Sequence, residues 1–265
     1  SEDTLALYTE PGAAIPAIGR ERLTVAAVAF PRVSNTTDVD AFAQEPGVDV
    51  RWTVQPGDVS AADLVVLPGT RATVHDLEWA RRTGLAQAVV DRAAKGRPVL
   101  GLCGGYQMLC RTITDSVESD AGEVAGLGLL PADVTFATVK TLTRPLGEHY
   151  GAKISTGYEI HHGVAHVDDG TPTFLEGARC GAVWGTHWHG AFDSDEFRRA
   201  FLTEVAQVAG RDFVPASDTN VAALRAARLD VLGDAVADHL DTIALAELIS
   251  EGAPAGLPFL PPGAP

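Results

Sequence analysis

A chain of 265 residues, 46% of them hydrophobic, has ample material for one large domain or two small ones. Its 35 acidic and 20 basic residues leave a net charge of −15, and a surface that acidic repels phosphate backbones and argues against nucleic acid as a partner. No apolar run approaches the ~18 residues of a membrane span, and no charged-then-apolar leader is visible, so neither a membrane partner nor secretion is expected.

Residues 1–20 mix charge with Pro and Gly and read as a linker. Leu23–Phe30 is a continuous apolar run of strand length, the signature of a strand buried on both faces in a parallel sheet. Asp49–Val54 alternates and predicts a second strand, and Ala62–Leu67 a third, ending in the turn Leu67-Pro-Gly-Thr70. Helical spacing runs from Asp76 to Leu85 and again to Ala94, with Gly96 where a helix C-cap belongs. Pro98–Leu102 is the next strand. Strands alternating with helices predict a doubly wound, mostly parallel α/β sheet flanked by helices. The section from 125 to 190 has more β character, with candidate strands at Thr135–Leu142, Ala152–Ile160 and Ala182–Trp188. Glu196–Ala209 is helical. Val221–Ile249 places Leu224, Val231, Leu232, Val236, Leu240 and Ile243 at roughly helical spacing, as in an amphipathic helix or helical pair packing on the sheet. The domain is therefore expected to span 21–250, with extra C-terminal helices, and 251–265 to be a disordered Pro/Gly-rich tail.

The strand at Pro98–Leu102 delivers the most informative stretch, Leu102-Cys-Gly-Gly-Tyr-Gln-Met-Leu109. A strand that turns sharply into a helix pushes the turn side chain out at the sheet edge and aims free helix N–H groups at whatever sits there. A thiol in that place has a lowered pKa and becomes a competent nucleophile. The turn alone is equally compatible with a buried cysteine packing as a small hydrophobe. In an open α/β sheet, ligands bind beyond the carboxyl ends of the strands. If the third and fourth strands are neighbours, N–H groups near Gly69, Thr70 and Gly104 converge beside the thiol as an oxyanion hole. Cys110, two helical turns on, reads as core, and Cys180 as incidental. The three cysteines form neither a Cys-x-x-Cys pair nor an even disulfide set, which points to a reducing, cytoplasmic setting.

A cysteine nucleophile needs a base. Of eight histidines, His187 and His189 lie in Gly185-Thr-His-Trp-His-Gly190 and would share one face of a regular strand. His161 and His162 lie in Gly157-Tyr-Glu-Ile-His-His-Gly163. These four could hold a metal, but no carboxylate or cysteine joins them at a recognisable ligand spacing, so no metal is expected.

The Cys-Gly-Gly-Tyr-Gln turn together with Gly-Thr-His-Trp-His-Gly resembles the class I (triad-type) glutamine amidotransferases, which have a flavodoxin-like sheet. The match narrows at Phe30–Asp40, Glu45–Asp49, Leu67–Thr70, Gly126–Leu130 and Gly157–His161, which together resemble the amidotransferase domain of the cobyric acid synthase family. The similarity runs from residue 22 to 205, with a looser helical match to 250. It implies Cys103 as nucleophile on the glutamine amide, His189 as base and then acid, backbone N–H groups at Gly69 or Thr70 and at Gly104 around the oxyanion, and Gln107 as a substrate contact. Many class I enzymes carry a glutamate two residues after the histidine. Here that position is Ala191, leaving a Cys–His dyad, and Glu159 is the candidate for orienting His189.

The resemblance further implies that ammonia made from glutamine amidates a corrinoid, adenosylcobyrinic a,c-diamide, with ATP and Mg on an N-terminal synthetase domain in cis. This chain has no phosphate-binding Gly-x-x-x-x-Gly-Lys-Ser/Thr loop, and no cofactor is expected within it. With Ser1 first and Met108 its only methionine, it is expected to be a processed chain or a piece of a longer one. Rival readings are a sibling amidotransferase (cobyrinate a,c-diamide synthase or the lipid II isoglutaminyl synthase subunit), a non-catalytic scaffold, and a cysteine hydrolase or DJ-1-like protein on a similar sheet.

Overall fold

A computed structural model describes residues 16–258. The expected linker falls mostly outside these residues, as does the end of the expected tail. The chain divides into two compact units at Val221/Ala222.

The first unit is built on a seven-stranded sheet. Its strands are β1 (Leu23–Val28), β2 (Val48–Thr53), β3 (Leu64–Leu67), β4 (Val99–Leu102), β11 (Thr173–Phe174), β12 (Gly177–Cys180) and β13 (Val183–Thr186). The spatial order is β11-β12-β13-β4-β3-β1-β2. The run from β13 to β2 is parallel, while β12 and β11 continue antiparallel. The alternation of each strand sorts side chains between two cores. Ala26, Val28, Val65, Leu67 and Val99 face α2 (Pro56–Ala61), α3 (Thr73–Arg82) and α4 (Leu85–Ala94). Leu23, Val25, Ala27, Leu64, Val66, Leu100 and Leu102 join the core of α1 (Thr37–Ala43) and α6 (Asp195–Ala209), with Phe42, Phe192, Phe197 and Phe201. Apolar residues on both faces are what made these strands readable as continuous apolar runs.

The middle of the chain does not extend this sheet. β5 (Thr112–Asp115), β6 (Gly122–Ala125), β7 (Ala132–Thr143) and β10 (Glu159–Val167) form a second sheet in the order β10-β7-β5-β6. β8 (Gly147–His149) and β9 (Ala152–Ile154) form a separate hairpin. The strand expected over Ala152–Ile160 is interrupted at 155–158. Gly157 passes close over the Trp188 ring, where a Cβ would stand 3.2 Å from Trp188 Cε3, and Tyr158 pairs instead with His189.

Between β4 and β5 lies the short helix α5 (Gly104–Leu109). It rests directly on the sheet: a Cβ on Gly105 would overlap the Leu67 carbonyl of β3. The second unit holds α7, which begins at the boundary (Val221–His239), and α8 (Thr242–Glu251). A helical pair was expected here and two helices are found, with Leu229, Val231, Leu232 and Ile243 exposed.

Candidate active site

Cys103 stands between β4 and α5 with φ +48° and ψ −109°, a backbone conformation that a side chain other than glycine rarely adopts. The strand-to-helix turn therefore stores strain at the one residue whose thiol it presents. Gln107 N–H closes the first helical bond on the Cys103 carbonyl at 3.0 Å, and Cys103 N–H is fixed to Thr186 O of the neighbouring β13 end at 2.8 Å. Cys103 as a whole is 9% exposed.

His189 is brought to it from the segment after β13. That strand ends at Thr186, so the regular alternation expected for His187 and His189 does not continue, and the two rings part. His189 lies in a two-residue bridge with Tyr158, whose N–H and C=O bond it at 2.9 and 2.8 Å. The Tyr158 ring stacks on the imidazole at 5.3 Å between centroids. Asn35 Nδ2 donates to the Tyr158 hydroxyl. The imidazole of His189 lies beside Cys103, close enough for the thiol to act on its proton affinity.

Asp38 holds the other side of the ring. Its Oδ2 accepts from His189 Nδ1 at 2.7 Å, and its Oδ1 accepts from Gly190 N–H at 2.6 Å. Asp38 is 1% exposed. It sits in the first turn of α1, just beyond the carboxyl end of β1. The orienting carboxylate is thus Asp38, and the expectation for Glu159 is corrected: its oxygens meet Thr143 Oγ1 at 2.6 Å and His161 Nε2 at 3.4 Å. Glu159 lies on β10 with its side chain on the His161 side, whereas His189 is met by the residue before that strand. A Cys–His–Asp arrangement replaces the expected dyad. The signal available in the sequence was an acid following the first apolar strand, at the edge where an open α/β sheet binds ligands.

Electrostatics follow from this geometry. Burial opposes charge on His189, but the hydrogen bonds to Asp38 and Cys103 and the charges on both outweigh it, and its pKa rises to about 10. The other expected positions gather around the pair. A Cβ on Gly69 would stand 3.1 Å from His189 Cε1 and 3.7 Å from Cys103 Cβ. A Cβ on Gly104 would stand 3.1 Å from Thr70 N, so the backbones of Gly69, Thr70 and Gly104 flank the thiol together. Thr70 is secured by its hydroxyl, which donates to buried Asp76 Oδ2 at 2.5 Å. Gln107 is 2% exposed, and its Oε1 accepts from Thr73 Oγ1 at 3.1 Å. Of the four histidines weighed as metal ligands, His189 is taken up by Asp38, and His162 Nδ1 bonds Ala137 O at 2.9 Å.

An α/β sheet with a strained cysteine elbow and a histidine from the adjoining strand end is the architecture of class I glutamine amidotransferases. Solved structures agree on the fold. One described as a glutamine amidotransferase superposes with a TM-score of 0.53 at 17% identity, covering 70% of this chain and 98% of that one. PurLQS from Thermotoga maritima gives 0.50 at 15% identity over 69% and 99%. Residues 24–197 match the model of the CobB/CobQ-like glutamine amidotransferase domain, and the chain belongs to that family. It is 61% identical over 248 residues to the cobyric acid synthase of Streptomyces avermitilis, covering 94% of this chain and 49% of the relative. It is 50% identical over 278 residues to that of Saccharopolyspora erythraea, covering 100% and 53%. The chain spans about half the length of the curated relatives it matches. No helix among the described residues is long and apolar enough to cross a membrane.

Proposed function

We propose that this chain is the glutaminase portion of a cobyric acid synthase. It would release ammonia from glutamine for the ATP-dependent amidation of adenosylcobyrinic a,c-diamide. The observation that carries the reading is the Cys103–His189–Asp38 arrangement: a buried carboxylate, an imidazole bonded to it through Nδ1, and a thiol on a strained elbow. The Cys103 thiolate attacks the side-chain amide carbon of glutamine, forming the C–S bond while the carbonyl electrons move to oxygen. Backbone N–H groups at Gly69, Thr70 and Gly104 receive that oxyanion, and Gln107 contacts the substrate. Collapse breaks the C–N bond as His189 protonates the leaving ammonia. The resulting γ-glutamyl thioester is hydrolysed by a water that gives its proton to His189, which releases glutamate and restores the thiolate. Asp38 keeps the ring in the tautomer that makes both transfers possible.

The corrinoid, ATP and Mg belong in this reading to a synthetase portion in the same polypeptide. It is supported by relatives twice as long as this chain and named for that reaction. Those names also favour this acceptor over those of the sibling amidotransferases. The described cysteines are all free thiols, consistent with a cytoplasmic setting.

The test is mass spectrometry of the intact chain after treatment with 6-diazo-5-oxo-norleucine, a glutamine mimic that alkylates amidotransferase cysteines. One adduct on Cys103, prevented by excess glutamine, is expected. A chain whose Cys103 reacts with a small thiol reagent but not with the mimic would favour the cysteine hydrolase instead.

A further inference from the structure

A second cluster, unused by the glutaminase chemistry, lies next to it. Glu159 and His161 are two residues apart on β10 and so share one side of that strand, while His187 follows β13. One donor atom from each of the three lies within 4.8 Å of the other two. His161 and His187 are 8% and 3% exposed, and their rings stack at 3.9 Å between centroids and 15° between planes.

Each ring has an oxygen near its Nδ1. His161 Nδ1 lies 2.7 Å from Gly163 O, and His187 Nδ1 lies 3.5 Å from Glu176 Oε1. A carbonyl only accepts, so the His161 ring carries a proton on Nδ1 and presents Nε2 as a lone pair. Outer partners of this kind are what fix metal-binding histidines. His187 Nε2 is buried without a hydrogen-bond partner among the described residues. Tyr106 packs edge-on against that ring at 4.8 Å but its hydroxyl is unpartnered too. His161 Nε2 faces Glu159 Oε1 at 3.4 Å, one acceptor against another, while Thr143 secures Glu159 Oε2. Two imidazoles and a carboxylate thus stand with donor atoms within 4.8 Å of one another, a set that a cation can gather once the nearly parallel rings turn towards it.

We propose that Glu159, His161 and His187 form a site for a divalent transition-metal ion of the zinc type, bound through both Nε2 atoms and Glu159 Oε1. Imidazole donors select zinc, cobalt or iron(II) over magnesium and calcium. Three protein ligands leave a further position for water or another donor. On binding, the rings tilt out of their stack so that the donors draw to roughly 3.3 Å apart, as Zn–N bonds of about 2.0–2.1 Å require. The site stands whether or not Cys103 attacks glutamine.

The experiment is a titration of the chelator-stripped chain with Co²⁺, followed by its visible ligand-field absorption and by bound-metal stoichiometry, with Zn²⁺ as competitor. One equivalent is expected, displaced by Zn²⁺, and equally in Cys103→Ser. His187→Ala and Glu159→Gln each weaken binding at least tenfold. Glu176→Gln, which leaves all three donors in place, weakens it about 10- to 100-fold. Circular dichroism reports whether each variant is folded. The site is overturned if the folded wild-type chain takes up no Co²⁺. It is overturned equally if uptake is lost in Cys103→Ser, or if it survives Glu159→Gln and a folded His187→Ala undiminished.

Discussion

The carboxylate of Asp38 grips His189 twice, at the ring through Nδ1 (2.7 Å) and at the backbone through the Gly190 N–H (2.6 Å). The second bond matters as much as the first. Gly190 has φ +69°, and a Cβ there would stand 2.6 Å from the Thr156 carbonyl. Ring and backbone are therefore both fixed, and the imidazole has little freedom to turn from Cys103.

Replacing Asp38 by Asn keeps the shape but removes the charge and offers an amide that can donate to Nδ1. The ring then adopts the wrong tautomer for accepting a proton at Nε2. Turnover of glutamine is expected to fall by up to roughly 10⁴-fold, the loss seen when a triad carboxylate is neutralised. KM should change little, because Asp38 faces the histidine. Steady-state glutaminase assays decide it, and a rate within a few-fold of wild type would remove Asp38 from the mechanism.

Gly69 sets the clearance between thiol and ring. A methyl there sits 3.1 Å from His189 Cε1 and 3.3 Å from Ser34 O, close enough to displace the imidazole but not to forbid the fold. Gly69→Ala should lower kcat by up to about 100-fold, the scale of an ångström-level misplacement, with an unchanged unfolding midpoint. A matching loss of stability would mean that the glycine serves packing instead.

Gly105→Ala should do the reverse. Its Cβ would overlap Leu67 C=O in the middle of the sheet, and neither α5 nor β3 can withdraw without breaking the elbow. A loss of about 3 kcal/mol or more is expected, at the upper end of overpacking effects. It is read from urea unfolding, with activity lost only in step with the folded fraction.

The parts of the molecule that were legible in the sequence are those whose signal is local. The apolar runs of β1, β3 and β4 are buried on both faces, so their pattern survives without knowledge of any neighbour. Cys103 stands out because glycines crowd its turn. Asp38 had no such mark: it is 151 residues from His189, and only the order β4-β3-β1 brings the loop after β1 to the same edge. Glu159 drew attention by sequence proximity to the histidine motifs, yet the alternation of β10 carries it to His161. The break at 155–158 was hidden because it answers to Trp188 and His189, not to any breaker beyond Gly157.

Stability against pH provides a test of the charge on His189 that needs no turnover. Its pKa is raised from 6.5 to about 10, so between those values the folded chain holds a proton that the unfolded chain has released. Stability then falls as pH rises through that window, and the contribution is fully present only below about 6.5. Urea midpoints measured across this range should decline in the wild type. Asp38→Asn should flatten the decline, because burial alone drives the ring towards neutrality. Parallel slopes in the two proteins would show that His189 folds as a neutral ring, and the thiol would then have to lose its proton during the attack instead of before it.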